Sequence, residues 1–246
     1  MNRIKGQLAD QEGLAKQVLS WIVCAKRPLL TVELQHALVV EVGEPELDED
    51  NNVPQLEDMV SVCVGLVTVD EESGIIRLVH YTAQEFFQWT QAQWSPTAKK
   101  DICTICVTYL SFSQFKKGPC GTDEEFEKRL QSNPLYEYAA RNWGNHAREA
   151  SLSTAEVIGF LNSHDLVEAA SQALLATKRW SDDRNYSQFF PKQMTGIHVA
   201  AYFGVVEVVT ELIGEGLDID PRDNWGRTPL SWAAENDRDA VVKLLL

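Results

Sequence analysis

Cysteine spacing is the first feature of this sequence that could support chemistry. Cys103 and Cys106 form a Cys-x-x-Cys pair, the spacing at which many tetrahedral zinc sites begin. Neither a histidine nor a second cysteine pair lies near them, so a zinc site here would lack half of its ligands. The chain has five cysteines, an odd number scattered over its length. We therefore expect buried, reduced thiols and no metal site.

Catalytic motifs are the second feature to consider. An enzyme would need a nucleophile, a base and an oxyanion donor that converge, and the motifs of this chain supply no such set. A Gly-x-Ser-x-Gly nucleophile elbow does not occur, and no glycine-rich loop ends in Gly-Lys-Ser or Gly-Lys-Thr. We predict that this chain is not an enzyme.

His80 ends a predicted strand and comes directly before a predicted helix. The strand is the apolar run 75–80, and Thr82 with Glu85 forms a capping box for the helix. An imidazole beside a helix N-terminus favours a phosphate, because the ring and the helix end both offer N–H donors. The alternative interpretation is a hydrogen-bonded histidine that fixes the corner between strand and helix.

The elements around that corner predict a winged helix in residues 1–95. Apolar residues at helical spacing predict three helices, the first ended by Pro28 and the second capped by Thr31. An acidic loop, residues 41–50, precedes the third helix. Two apolar strands on either side of a turn at residues 70–74 form a β-hairpin wing.

The run from Leu78 to Phe87 resembles the winged-helix domain that follows the NACHT nucleotide-binding module in NLR-like signal-transduction ATPases, specifically the large fungal ankyrin proteins of that class. The resemblance implies an upstream nucleotide-binding module in cis and ADP or ATP in the full-length protein, with no cofactor in this chain itself. His80 would touch the β-phosphate of ADP and hold the resting state of a nucleotide-dependent switch. Any ATPase activity would need the upstream module.

Winged helices also suggest two alternative functions. Many bind DNA, yet residues 1–95 hold six Lys or Arg against fifteen Asp or Glu, the reverse of a surface that follows phosphates. The whole chain has 36 acidic and 22 basic residues, a net charge of −14 that repels nucleic acids and anionic membranes. A lipid-anchor deacylase name is also attached to this winged-helix family. The second alternative is therefore a piece of a hydrolase whose catalytic domain lies outside this chain.

Residues 96–176 predict a helical connector, in which capping residues and prolines start successive amphipathic helices. One of these helices carries a stripe of aromatic and histidine residues that includes Tyr138, Trp143 and His146. We interpret the stripe as core rather than as an active site, and the run that contains it is similar to a signature of the same fungal family. Residues 177–193 predict a linker whose aromatic side chains dock on the first repeat.

Two copies of one repeat follow, in residues 194–246. The segments that begin at Thr195 and Thr228 align at an offset of 33 residues, with six identities in nineteen positions. This resembles the ankyrin repeat, with Ser231 in place of the usual His and Asp237 in place of the common Gly. The resemblance implies the first two repeats of an array, the second truncated, with more repeats beyond the chain. We expect His198 to tie down the backbone rather than to bind a ligand.

The sequence thus predicts a mainly α-helical chain made of a winged helix, a helical connector and the start of an ankyrin solenoid. Ankyrin partners contact the hairpin tips and the inner helices. The predicted contact residues are Asp223, Asn224 and Trp225 at a tip, with Tyr202 and Glu235 on the inner helices. The acidic charge, the lack of a secretory signal and the lack of a membrane-spanning run predict a cytoplasmic or nuclear chain that binds protein, not nucleic acid or membrane.

Overall fold

The computed structural model describes residue 4 and residues 6–47 and 53–246, so part of the predicted acidic loop lies outside the described residues. The described part of the chain is mainly helical, with fourteen α-helices and one three-stranded sheet. It divides into two compact units, residues 1–41 with 47–102 and residues 42–46 with 103–246. The mainly α-helical fold class is confirmed.

The first unit contains the predicted winged helix and one strand that the sequence did not predict. Its elements are α1 (Ala9–Cys24), β1 (Leu29–Leu30), α2 (Thr31–Leu38), α3 (Leu56–Val62), β2 (Val67–Val69), β3 (Ile75–Leu78), α4 (Tyr81–Trp89) and α5 (Gln91–Trp94). The sheet order is β1-β3-β2, all antiparallel, with Leu29 opposite Ile76 and Val67 opposite Leu78. Strand β1 escapes prediction because two residues are too few for the alternating pattern of a strand.

Helix α1 supplies the centre of this unit, and an ion pair fixes the start of α2. Val18, Leu19 and Trp21 on α1 are buried, as their helical spacing predicts. The carboxylate of Glu33 accepts two bonds from the Arg27 guanidinium, at 2.8 and 2.6 Å, and a third from the Leu30 backbone N–H at 2.8 Å. Glu33 therefore caps α2 where the sequence predicted Thr31, because its carboxylate can reach the free backbone donor.

The second unit begins within α6 (Ala98–Leu110) and is entirely helical apart from its loops. Its other elements are a 3-10 turn at Ser113–Lys117, α7 (Asp123–Ser132), α8 (Leu135–Ala150), α9 (Ala155–Leu161), α10 (His164–Leu175), a 3-10 turn at Tyr186–Gln188, α11 (Gly196–Phe203), α12 (Val206–Gly214), α13 (Pro229–Glu235) and α14 (Asp239–Leu245). The predicted boundaries at residues 176 and 193 both lie inside this unit.

The predicted stripe on α8 forms the core of the second unit. Tyr138, Trp143 and His146 have no exposed surface, and the Tyr138 hydroxyl lies 2.9 Å from Nε2 of His146. The Trp143 ring meets Phe160 of α9 and Phe203 of α11 edge to face, with centroids 5.8 and 5.2 Å apart. The interpretation of this stripe as core is confirmed, because aromatic rings in this arrangement exclude water from the helix junction.

Tyr186, in the loop between α10 and α11, does not dock as predicted. The Tyr186 ring packs edge to face against Phe126 of α7, with centroids 6.2 Å apart. The Asp123 carboxylate of α7 accepts from the backbone N–H of Asn185 at 2.6 Å and of Ser187 at 3.0 Å. The expectation that the aromatics of this loop dock on the first repeat is wrong for Tyr186, because the acidic first turn of α7 offers acceptors to the loop backbone.

Candidate functional site

The hairpin tip before α13 is built around Asp223. Its Oδ1 accepts from the backbone N–H of Trp225 and of Arg227, both at 2.9 Å, and its Oδ2 accepts from the indole N–H of Trp232 at 2.9 Å. Only 4% of Asp223 is exposed. The prediction of Asp223 as a contact residue is therefore corrected. Both carboxylate oxygens point inward and hold the turn, so this side chain shapes the tip and contributes little to its exposed surface.

Asn224 joins this tip to the preceding one. Its backbone N–H donates to the carbonyl of Lys192 at 2.9 Å, and the Lys192 N–H donates to its Oδ1 at 2.7 Å. Asn224 is exposed, yet its side-chain oxygen is already committed to the neighbouring turn. Two reciprocal bonds of this kind restrict the movement of one tip relative to the other.

The preceding tip comprises residues 190–194, which the sequence assigned partly to the linker. The 33-residue offset pairs Gln193 with Gly226, and both are in the left-handed region, at φ of 64° and 74°. The same offset pairs Gly204 with Asp237, at φ of 76° and 56°. The turns of the two copies thus have the same backbone conformation although non-glycine residues occupy one position of each pair.

His198 ties its repeat to the next hairpin, as expected. Its Nδ1 accepts from the Thr195 backbone N–H at 3.0 Å, so the ring proton is on Nε2, which donates to the Arg227 carbonyl at 3.2 Å. Burial lowers the pKa of His198, which keeps the ring neutral. In the second copy Ser231 replaces it, and its hydroxyl accepts from the Thr228 N–H at 2.8 Å.

Two large aromatic side chains are exposed beside the tips. Trp225 is 52% exposed, and Phe189, directly before the first tip, is 77% exposed. The sequence predicted Trp225 but not Phe189. The 33-residue offset aligns residue 190 with Asp223, and carrying the alignment upstream of Thr195 would have placed Phe189 at the edge of a tip.

Tyr202 and Glu235 lie on the inner helices α11 and α13, as predicted. The Tyr202 ring is half-buried, 5.9 Å from the Trp232 ring centroid to centroid, and burial raises its pKa. Glu235 is exposed and forms an ion pair with Arg227, whose guanidinium lies 4.2 Å from the centre of the Trp232 ring. Trp232 therefore supports both residues. Tyr202 packs against its ring directly, and Glu235 is linked to it through Arg227.

His80 has an exposed side chain at the N-terminus of α4. No described residue hydrogen-bonds to its imidazole, and both interpretations of His80 stay predictions. The contact that starts the helix comes from its carbonyl, which accepts from the Ala83 N–H at 3.0 Å. The predicted capping box at Thr82 does not form, because α4 begins at Tyr81 and leaves Thr82 inside the first turn.

The cysteine pair is buried as expected. Cys103 and Cys106 have no exposed surface, and burial raises the pKa of Cys103 to about 12 and that of Cys106 well above its usual value. In the part of the chain that the structure describes, no group of three or more His, Cys, Asp or Glu side chains could hold a metal ion. Both thiols are therefore protonated near neutral pH and behave as small apolar side chains.

Comparison with known proteins assigns the two ends of the chain. Residues 4–115 match the family described as "GPI inositol-deacylase, winged helix domain", and residues 162–246 match "Ankyrin repeats (3 copies)". No curated protein and no solved structure matches this chain.

The chain therefore contains a winged-helix domain and ankyrin repeats. More specifically, it carries a winged-helix domain of the GPI inositol-deacylase type, followed by ankyrin repeats. The ankyrin match begins at residue 162, so it includes α10 and the following loop, which the sequence had assigned to the connector and the linker. Among the helices of the described residues, none has the length and apolar character needed to cross a membrane.

Proposed function

We propose that this chain binds a protein partner through the hairpin tips of its ankyrin repeats, with Trp225 as the central contact. The observation that carries the proposal is an exposed tryptophan on a turn that Asp223 holds rigid through three hydrogen bonds. A rigid aromatic side chain loses little conformational entropy on binding, and tryptophan is enriched among the residues that dominate interface energies.

The residues around Trp225 complete the proposed surface. Phe189 adds a second exposed aromatic ring, Asn224 holds the two tips in register, and Tyr202 with Glu235 continues the surface onto the inner helices. The net charge of −14 favours a neutral or basic partner, since a surface of like charge would be repelled.

Photo-crosslinking tests this proposal directly. A photoreactive phenylalanine analogue at position 225 should crosslink one defined partner in cells. The same analogue at position 180 is the matched control, because Trp180 is 72% exposed but lies outside the tips. With the partner purified, Trp225→Ala should weaken binding by about 2 kcal/mol, or roughly thirtyfold in Kd. A partner that crosslinks equally from position 180, or binds Trp225→Ala unchanged, contradicts the proposal.

We also propose that the winged helix takes part in a nucleotide-dependent switch of an NLR-like signalling protein. The support is an exposed imidazole at the N-terminus of α4 together with Tyr81 and Trp89 on the same helix, which are 76% and 87% exposed. An upstream NACHT module would meet this face of α4, and His80 would donate to the β-phosphate of ADP. The fungal origin and the cytoplasmic location are part of the same proposal.

Nucleotide titration separates this switch from a purely structural winged helix. Labelled ADP and ATP are titrated onto this chain and onto a version extended upstream to include a nucleotide-binding module, each with and without His80→Ala. We expect ADP to bind only the extended protein, and the substitution to weaken binding about tenfold. If the extended protein binds ADP equally well without the imidazole, the proposed role of His80 is wrong.

A second candidate function rests on the winged-helix match. The deacylase in the description of that family is an enzyme, so this chain could serve a hydrolase whose catalytic domain lies outside it. An extended protein that releases the acyl chain from a GPI-anchored substrate would favour this candidate. An extended protein that binds ADP and leaves that substrate intact would favour the switch.

A further inference from the structure

A polar cleft in the second unit has no residue of the hairpin tips in its lining. Its volume is about 400 Å³, and it is broadly open to solvent. Its wall is formed by the 3-10 turn at Ser113–Lys117, the loop that follows it and one face of α7. The lining residues that could contact a ligand through polar groups are Gln114, Lys117, Glu125, Lys128, Arg129 and Ser132.

Two carboxylates of α7 are directed away from the cleft, whereas Glu125 lines it together with Lys128 and Arg129. Asp123 accepts from the backbone and the hydroxyl of Ser187, and Glu127 pairs with Lys178 at 2.6 Å, so both carboxylates are directed to the loop after α10. The cleft is thus basic in a chain whose net charge is −14.

Neither lysine of the cleft is neutralised by a carboxylate of the described residues. Lys117 and Lys128 are exposed, and neither forms an ion pair with any residue that the structure describes. Glu125, the carboxylate among the lining residues, accepts from the Gly121 backbone N–H at 2.9 Å. The lining residues therefore carry three positive charges against one negative charge that is already hydrogen-bonded.

Arg129 is held in place by the core. Its Nη1 donates to the Gly118 carbonyl at 2.8 Å, and its guanidinium lies 5.8 Å from the centre of the Phe115 ring. Phe115 stacks on Tyr136 at 4.3 Å with an angle of 10° between the rings, and the Tyr136 hydroxyl donates to the Ala169 carbonyl at 2.6 Å. Arg129 also forms a side-chain hydrogen bond with Tyr136. A guanidinium held by several partners has a fixed orientation.

We propose that this cleft binds a phosphoryl group, with Arg129 as the oriented donor and Lys117 and Lys128 as the neutralising charges. A planar guanidinium matches two phosphate oxygens at once, and an ammonium group adds charge without a fixed geometry. Clusters of this composition recognise phosphorylated side chains, and the cleft is large enough for such a side chain with its neighbours. The same phosphoryl chemistry could come from a small phosphate ester.

Direct titration distinguishes the two sources. The probes for the full chain are inorganic phosphate, free phosphoserine, a degenerate peptide pool with a central phosphoserine, and the same pool with aspartate at that position. The variants are Lys128→Glu, Lys117→Glu and Arg129→Lys. Lys100→Glu is the matched control, since Lys100 is an exposed lysine that belongs to the first unit and does not line the cleft.

We expect the phosphoserine pool to bind, and Lys128→Glu to weaken that binding at least about tenfold while Lys100→Glu leaves it unchanged. Arg129→Lys keeps the positive charge but removes the planar guanidinium that can donate two N–H bonds at once. This substitution should also weaken binding of the phosphoserine pool. Binding of inorganic phosphate or free phosphoserine with the same dependence on Lys128 would support a small phosphate ester as the source. The proposal is overturned if no phosphorylated probe binds, if the aspartate pool binds equally well, or if Lys100→Glu weakens binding as much as Lys128→Glu.

Discussion

Gly144 allows α8 and α11 to approach each other, and its replacement by alanine gives a quantitative test of the core. A Cβ at position 144 would lie 2.1 Å from Cγ of Phe203. That distance is far below van der Waals contact, and Phe203 cannot move away easily because its ring packs against Trp143 and Tyr202. Overpacking of a core costs about 1–3 kcal/mol, and a contact this close belongs at the upper end.

The helix propensity of alanine offsets part of that cost. Alanine is favoured over glycine in a helix by about 1 kcal/mol, so the net destabilisation expected for Gly144→Ala is about 2 kcal/mol. For a chain of this size that corresponds to a decrease in melting temperature of roughly 4–8 °C. Calorimetry of the full chain measures it, with the transition of the second unit followed separately if the two units melt apart.

Gly159 provides the matched control for this experiment. It lies in α9, it is exposed, and a Cβ added to it would have no atom within 4 Å. Gly159→Ala should therefore benefit from the higher helix propensity of alanine without any steric cost, and should raise the melting temperature slightly. If Gly144→Ala stabilises the chain as Gly159→Ala does, then α8 and α11 are not in the contact described above, and the packing of the repeats on α8 is wrong.

Three further predictions concern buried polar groups. Asp223→Ala should destabilise the chain by about 2–3 kcal/mol in urea denaturation, because it leaves the buried Trp232 indole N–H and two turn N–H groups unpaired; a loss no larger than that of Asn224→Ala would contradict this. Burial lowers the pKa of His198, so folding favours the neutral ring. The stabilisation from His198 should therefore be fully present above the unfolded pKa of about 6.5 and should decrease as the pH falls towards the folded pKa. His198→Gln should make the urea midpoint depend less on pH between about pH 7.5 and 5.5. If the variant shows the same pH dependence, His198 is not its source. Cys103 should resist thiol reagents at about pH 8 in the native chain, because its pKa is about 12, and should react after unfolding; rapid native labelling would show that α6 is not packed as described.

The sequence predicted correctly those features that depend on residues within one or two neighbouring elements. The 33-residue period, the threonine caps of α7 and α13 and the burial of the α8 stripe all follow from spacing within one or two elements. The role of His198 followed as well, because the repeat fixes which backbone groups lie beside it.

A strand whose partner is distant in sequence, and a cap that depends on the path of the preceding loop, were predicted less well. Strand β1 is only two residues long and exists because β3 pairs with it. Helix α2 is capped by Glu33 rather than Thr31, because the side chain that reaches the free N–H depends on the path of the preceding loop.

The sequence by itself determined which surface carries the candidate contacts, since a repeat of known period specifies its tips and inner helices. Only the tertiary structure decided which of those side chains are available. Asp223 and Trp225 are two residues apart on one tip, yet one is 4% exposed and the other 52%. The physical reason is that a carboxylate beside free backbone N–H groups and a buried indole is bound by them, whereas the Trp225 ring finds no equivalent site and stays in solvent.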